Sequence, residues 1–336
     1  MNLAIVILNW NGKKLLEEFL PSLIKHSKGH SIYIIDNKSS DNSINFINKT
    51  YPEVNIIKNK KNYGYAKGYN IGLKEIDADI FCLLNNDVKV TENWLIPIIK
   101  AFKKDSSIVV AQPKILDYNN KKSFEYAGAA GGYIDFFGYS YCRGRIYSTI
   151  ELDKGQYNEN TNIFWASGSC FFIRKDIFNN LTGFDEKFVC HMEEIDLCWR
   201  INNYDSKLKK MFIHNSKVFH KGGATLSNSS SKKTFYNFRN SISMIVKNTS
   251  ISNLFIILLT RIIIDSLILF NFLITLKIKH VLAIVLAYLN SILILPKNFI
   301  KRNNNKKHKH YVIKSIIFNY LILKKRIFSE LKIRVK

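Results

Sequence analysis

Ile80-Phe81-Cys82-Leu83-Leu84-Asn85-Asn86-Asp87 is the stretch that decides the fold. A short, wholly apolar run bounded by turn-forming residues reads as a strand buried on both faces of a parallel sheet. The acid that follows stands where such sheets gather their function, at the carboxyl end of a strand. Working outward, residues 3–8, 31–35, 54–57 and 108–111 repeat the apolar run. The amphipathic stretches 13–26, 42–48, 66–74 and 94–103 between them read as helices. The fold class expected is therefore α/β, with a mostly parallel central sheet built from repeated βα units. Asn9 follows the first strand, Asp36 the second, Asn62 the third and Asp87 the fourth. One edge of the sheet collects them.

Each of these positions has a chemical reading beside a plain structural one. Asp87, with Asn85 and Asn86 in support, suits a hard cation, Mg²⁺ or Mn²⁺, completed by substrate phosphates. An Asx turn closing a buried strand fits the same residues. Asp36, in Asp36-Asn37-Lys38-Ser39-Ser40-Asp41, can accept hydrogen bonds from a nucleotide base or ribose. The segment also reads as an ordinary strand-to-helix turn capped by Ser40 or Asp41. Asn62 and Gly64 open a helix whose small residues let a nucleotide approach, and a helix N-terminus favours phosphate. Glu193-Glu194-Ile195-Asp196 opens another helix, whose dipole is expected to keep Glu194 ionised, as a general base must be. His220, after Val218-Phe219, is a candidate metal ligand or diphosphate contact. A base and a metal-held leaving group are the two parts that sugar transfer from a nucleotide donor requires.

Composition narrows the partners. The 336-residue chain carries a formal charge of +24, and thirteen Lys and Arg after Pro296 face only Glu330. No recognised nucleic-acid motif accompanies this excess, so an anionic membrane surface is expected as its partner and nucleic acid is not. Five cysteines without a CxxC pair, and no secretory leader in the short 3–8 run, fit a reducing cytosol. Residues 112–162, rich in Gly and Tyr, read as a loop-rich insertion over the site. From 163 onward the expected elements are a strand near 171–173, the acidic helix 193–204, a strand near 208–213 and a further segment at 218–220. After Asn248 the chain turns apolar. The run 254–276 is interrupted by Arg261 and Asp265, and 281–295 falls short of the roughly twenty residues that span a bilayer. Arg261 and Asp265 are four apart and can pair on a helix. Both runs read as helices lying in the membrane interface, peripheral or monotopic, with a re-entrant hairpin as the alternative. A polar linker at 303–310 is followed by a basic apolar helix. The division expected is a catalytic domain over 1–248 and a membrane-associating region over 249–336.

Ten segments in series resemble the family-2 glycosyltransferases with a GT-A fold, in particular their bacterial rhamnosyltransferase-like branch. They are Leu8-Asn9-Trp10-Asn11-Gly12, residues 36–41, 62–70 and 84–87, Cys142-Arg143-Gly144-Arg145, Phe164-Trp165-Ala166-Ser167-Gly168, Gly183-Phe184-Asp185-Glu186, residues 193–200, His220-Lys221-Gly222-Gly223-Ala224 and Phe238-Arg239-Asn240. The resemblance runs over residues 3–248. It implies a nucleotide contact at Asp36, with Asn9, Asn62, Gly64 and Asn86 in the same site, a metal acid of the DxD type at Asp87, and the catalytic base at Glu194. Two departures matter: Asn85 stands where a fuller metal motif has Asp, and Glu194 stands where many relatives have Asp. Arg143 and Arg145 are expected to clamp a phosphate of donor or acceptor. Trp165 offers a sugar-stacking platform or a core side chain. The implied reaction is a single inverting displacement. Its donor is a nucleoside diphosphate sugar, with rhamnose favoured by the branch, and its acceptor a saccharide, polyprenyl-linked, at the cytoplasmic face of the membrane. A catalytically silent membrane partner with the same fold is the alternative.

Overall fold

The computed structural model describes residues 1–222, 230–302 and 308–333. Gly223 and Ala224 of the His220 motif, and residues 303–307 of the expected linker, lie outside the described residues.

The first third of the chain is a run of strand–helix units. They comprise β1 (Leu3–Asn9), α1 (Lys13–His26), β2 (Ser31–Asp36), α2 (Ser43–Thr50), β3 (Asn55–Lys58), α3 (Gly64–Gly72) and β4 (Ile80–Leu84). Then come β5 (Val88–Val90), α4 (Leu95–Lys104) and β6 (Ile108–Asp117), which continues well past the expected end at Ala111. Alternation along the central strands explains their burial: Ile5, Ile7, Ile80, Cys82 and Leu84 enter one core, and Ala4, Val6, Phe81 and Leu83 the other. On α1, Leu16, Phe19, Leu20 and Leu23 recur at helical spacing and are buried, with Leu16, Leu20 and Leu23 in the first of those cores.

Four strands, β3, β2, β1 and β4, run parallel in that order. Beyond β4 the sheet changes character. The strand expected near 171–173 is β12 (Cys170–Arg174), which inserts antiparallel between β4 and β6. The two segments expected at 208–213 and 218–220 are one strand, β13 (Lys209–His220), parallel to β6, with a register shift between Ile213 and Lys217. The short strands β5 and β11 (Thr161–Asn162) pair antiparallel with β13. The insertion is more ordered than a loop: β7 (Gly132–Ile134), β8 (Ser140–Cys142), β9 (Arg145–Ile146) and β10 (Thr149–Ile150) form a small antiparallel sheet of their own. After β12 come α5 (Lys175–Asn180) and α6 (Glu193–Tyr204).

The C-terminal part departs from expectation in length. It contains α7 (Ser231–Asn248), α8 (Ile251–Ile274), α9 (Ile278–Ile300) and α10 (Ile316–Leu321). The run 281–295 lies inside the 23-residue α9, so α8 and α9 are both long and apolar enough to cross a membrane. Pro296 sits inside α9 rather than ending it. The basic apolar helix expected near the end is only the six-residue α10. Arg261 and Asp265 do pair, at 3.2 Å. Their partners lie elsewhere in the fold: Arg261 donates to Ser241 Oγ of α7 at 2.9 Å, and Asp265 accepts from Tyr139 beside β8 at 2.7 Å and from Tyr288 of α9 at 2.6 Å. The pair faces α7 and the segment before β8 while the outer faces of α8 and α9 stay apolar and exposed.

Candidate active site

Side-chain amides hold the carboxyl ends of β1, β2 and β4 together. Asn9 is buried; its Oδ1 accepts from Asn86 at 3.2 Å, and its Nδ2 donates to Ser39 Oγ at 3.2 Å and Ser43 Oγ at 3.1 Å. Gly12 permits this approach, because a Cβ there would lie 2.3 Å from both Asn9 Oδ1 and Asn86 Nδ2. The Asp36 carboxylate accepts from the Ser39 backbone at 3.1 Å. One layer out, Asn37 donates to the Gly64 carbonyl at 3.0 Å and accepts from Asn59 at 2.8 Å. Asn62 Oδ1 accepts from the Gly64 backbone at 2.9 Å, closing the turn that starts α3, where Gly64 takes a φ of +76°. Asn9, Asp36, Asn62, Gly64 and Asn86 thus form one connected floor.

Asp87 stands beside it. β5 pairs with the end of β13, so His220 lies opposite Val88 and its Nε2 comes 3.1 Å from Asp87 Oδ1. On the other side of the ring, Nδ1 is 3.2 Å from Glu125 Oε1. Burial works against a charged imidazole, but Glu125 and Asp87 outweigh it and push the His220 pKa up to about 10. Glu125 escapes sequence reading: it belongs to the irregular insertion, and no spacing marks it. Among the described residues no three His, Cys, Asp or Glu side chains form a group that would hold a metal alone. A carboxylate and an imidazole this close nevertheless suit a divalent cation that draws its other ligands from substrate phosphates. Such a cation competes with the proton on His220.

Glu193 and Glu194 enter from the other side. The loop before α6 turns through two left-handed residues, His191 with φ +67° and Met192 with φ +71°. Glu193 is buried and Glu194 only partly so, which leaves Glu194 the one nearer solvent. Oε2 of each acid has no protein hydrogen-bond partner among the described residues. The expectation that the helix dipole keeps Glu194 ionised is corrected here: burial outweighs the backbone hydrogen bonds and raises its pKa to about 7. Glu193 is pushed well above the usual carboxylate range by burial and then by the neighbouring Glu194 charge.

Ser167-Gly168-Ser169 bridges the two acid groups. Ser169 accepts from the Asn85 backbone at 3.0 Å, and Gly168 accepts from Tyr65 Oη at 2.8 Å. A Cβ at Gly168 would come within 3.1 Å of Tyr65 Oη and 3.9 Å of the Glu194 carboxyl carbon. The Asn85–Asp87 turn and the acid pair therefore flank the same three residues.

Three other expected site residues have protein partners. Arg143 is buried against the Tyr157 and Phe212 rings and reaches Glu159 at 3.2 Å. Arg145 donates to the carbonyl of Tyr126, the residue after Glu125, at 2.9 Å and stacks on its ring. Trp165 takes the core position: it lies against Gly132 and donates to the Tyr133 carbonyl at 3.0 Å.

Comparison with known proteins agrees with the fold. The model of glycosyl transferase family 2 matches residues 4–182, more than half of the chain, and the chain belongs to that family. It is 23% identical over 237 residues to the N-acetylglucosaminyl-diphospho-decaprenol L-rhamnosyltransferase of Mycobacterium tuberculosis, covering 65% of this chain and 75% of that protein. It is 22% identical over 223 residues to rhamnosyltransferase WbbL of Escherichia coli, covering 64% of this chain and 81% of that protein. Among solved structures, GalNAc-T7 with UDP, GalNAc and Mn²⁺ superposes with a TM-score of 0.57 at 18% identity, over 74% of this chain and about half (48%) of the other. The protein is a glycosyltransferase with a GT-A-type fold and rhamnosyltransferase-like relatives.

Proposed function

We propose that the chain transfers a sugar, rhamnose before others, from a nucleoside diphosphate donor to a hydroxyl of a polyprenyl-linked saccharide, in the synthesis of a cell-surface polysaccharide. The observation that carries this reading is the Ser169–Gly168 segment, which accepts from the Asn85 backbone at one end and lies beside the Glu194 carboxyl at the other; it supports a carboxylate base facing a turn that would bind the donor diphosphate. Glu194 takes the proton of the acceptor hydroxyl as that oxygen attacks the anomeric carbon from the face opposite the donor diphosphate. The bond from that carbon to the diphosphate oxygen breaks, and the configuration inverts. Asp87 and His220 are the residues that would hold Mg²⁺ or Mn²⁺, which supplies charge stabilisation to the leaving diphosphate. Asn9, Asp36, Asn62, Gly64 and Asn86 would seat the nucleotide end. The name of the mycobacterial relative supports a lipid-linked acceptor.

The reading extends to location. Phe255 on α8 and Leu293 on α9 are 78% and 77% exposed, within a broad apolar outer face. Arg261 and Asp265, at mid-helix, are bonded to the catalytic part, which supports a helical pair lying in one leaflet rather than crossing it. Lys277, Lys279, Lys297 and Lys325 would meet anionic headgroups, at about 1 kcal/mol for each well-placed charge. Nucleotide sugars are cytosolic, so the cytoplasmic face is the side proposed.

Full-length enzyme in detergent, offered a panel of UDP-, GDP- and dTDP-linked sugars with a polyprenyl diphosphate N-acetylglucosamine acceptor, tests this. Acceptor-dependent release of nucleoside diphosphate from one donor is expected. Release from none, with folded protein and divalent metal present, overturns the reading in favour of a silent partner protein.

A further inference from the structure

Asn240 of α7 touches neither acid group, yet two of the four successive backbone carbonyls in front of Glu193 depend on it. The Val189 carbonyl accepts from the Tyr65 backbone at 2.9 Å, and the Met192 carbonyl from the Asp196 backbone at 2.8 Å. The two between them, Cys190 and His191, both accept from Asn240 Nδ2, at 2.8 Å each. The orientation of this amide is fixed from behind, because Asn240 Oδ1 accepts twice from the Arg239 guanidinium, at 2.8 and 2.6 Å. Only the NH₂ end is left to face the loop. Asn240 is fully buried, and Arg239 also donates to the Lys187 carbonyl at 2.8 Å, further back along the same loop.

The loop needs this clamp. His191 and Met192 both take the left-handed conformation, which side chains with a Cβ disfavour. Two disfavoured residues in succession persist only where the surroundings over-determine them. Their geometry sets the angle at which α6 starts, and hence where Glu194 points.

We propose that Asn240, oriented by Arg239, is a positioning residue for the catalytic base: it holds the Cys190–Met192 turn so that Glu194 faces the acceptor. The proposal rests on the assignment of Glu194 as base. It also gives α7 a mechanical place in the molecule. On its other side α7 is gripped by the apolar helices, through Arg261 to Ser241 at 2.9 Å and Asn298 to Ser243 at 3.1 Å. The element that steadies the base is thus the one the lipid-facing helices brace.

Asn240→Asp keeps the shape and replaces the double donor with an acceptor aimed at two carbonyls. In the full-length enzyme, with the donor that the nucleotide-sugar panel identifies, kcat should fall about a hundredfold, the scale of a small misplacement of a catalytic group. The KM for donor should stay within about twofold, because the nucleotide floor is untouched. Hydrogen exchange on the same protein without substrate should rise at residues 190–194 and not in β1 or β4. An unchanged kcat, a fall in donor affinity that matches the fall in kcat, or unchanged exchange at 190–194 overturns the proposal. If Asn240→Asp does not accumulate folded, Arg239→Lys carries the same measurements, with a smaller loss of about tenfold expected and the same overturning results. If no donor turns over in the unsubstituted enzyme, the functional reading has failed. The exchange measurement then still decides whether Asn240 holds the turn.

Discussion

Glu125 lies 3.2 Å from the imidazole of His220, on the side of the ring away from Asp87. A carboxylate behind a histidine fixes which ring nitrogen carries the proton and how the ring is aimed. Glu125→Gln is therefore expected to weaken the affinity for the metal that transfer requires. The concentration of Mn²⁺ at half-maximal activity should rise by about ten- to a hundredfold. A Mn²⁺ titration of the variant checks this, and an unchanged midpoint would separate Glu125 from the metal site.

Chelation should abolish transfer, and added Mg²⁺ or Mn²⁺ should restore it. Asp87→Asn removes the one carboxylate at the turn and should cost about a hundredfold or more in kcat. Full turnover in excess chelator would shift leaving-group stabilisation to His220 and nearby cations.

Glu194→Gln should lower kcat by at least about a hundredfold while donor binding survives. The unsubstituted enzyme should lose kcat/KM as pH falls through about 7, where burial places the Glu194 pKa. The same shift has a stability sign. The folded pKa is raised above the unfolded one, so the contribution is fully present below the unfolded value of about 4.5 and is lost as pH rises through about 7. Glu194→Gln should therefore stabilise the protein at pH 8 more than at pH 5. Melting curves at the two pH values check this, and equal shifts would place Glu194 in water.

Asp265→Ala strands Arg261 in a buried site, where breaking such a pair costs about 3–5 kcal/mol. The variant should melt earlier and expose α8 to protease. By contrast, Phe255→Glu with Leu293→Glu changes exposed positions, so melting should stay close to that of the parent. Binding to vesicles containing phosphatidylglycerol should fall at least tenfold, because each substitution puts a charge into an apolar face (about 1.4 kcal/mol per tenfold). Undiminished vesicle binding would put the lipid contact elsewhere.

Local pattern made much of this legible. The helix over 13–26 was bounded correctly at both ends, because Leu16, Phe19, Leu20 and Leu23 recur at helical spacing. The Asn9, Asp36 and Asp87 positions follow from strands that end where apolar runs end. What stayed hidden is long-range. Nothing in Cys170–Arg174 states that it enters the sheet antiparallel between β4 and β6, since four apolar residues and an arginine carry no direction. Arg261 and Asp265 read as interruptions because their partner Tyr139 lies more than a hundred residues away. The ionisation of Glu194 was misjudged because the dipole is visible in sequence and burial is not.

The floor of the candidate site is held in part by Asn9, Asn37, Asn59 and Asn86, neutral amides that neither gain nor lose a proton in water. The bonds among these amides persist whatever the ionic strength around them. Changes in ionic strength should therefore register in lipid attachment, while the affinity of the bare nucleoside stays level.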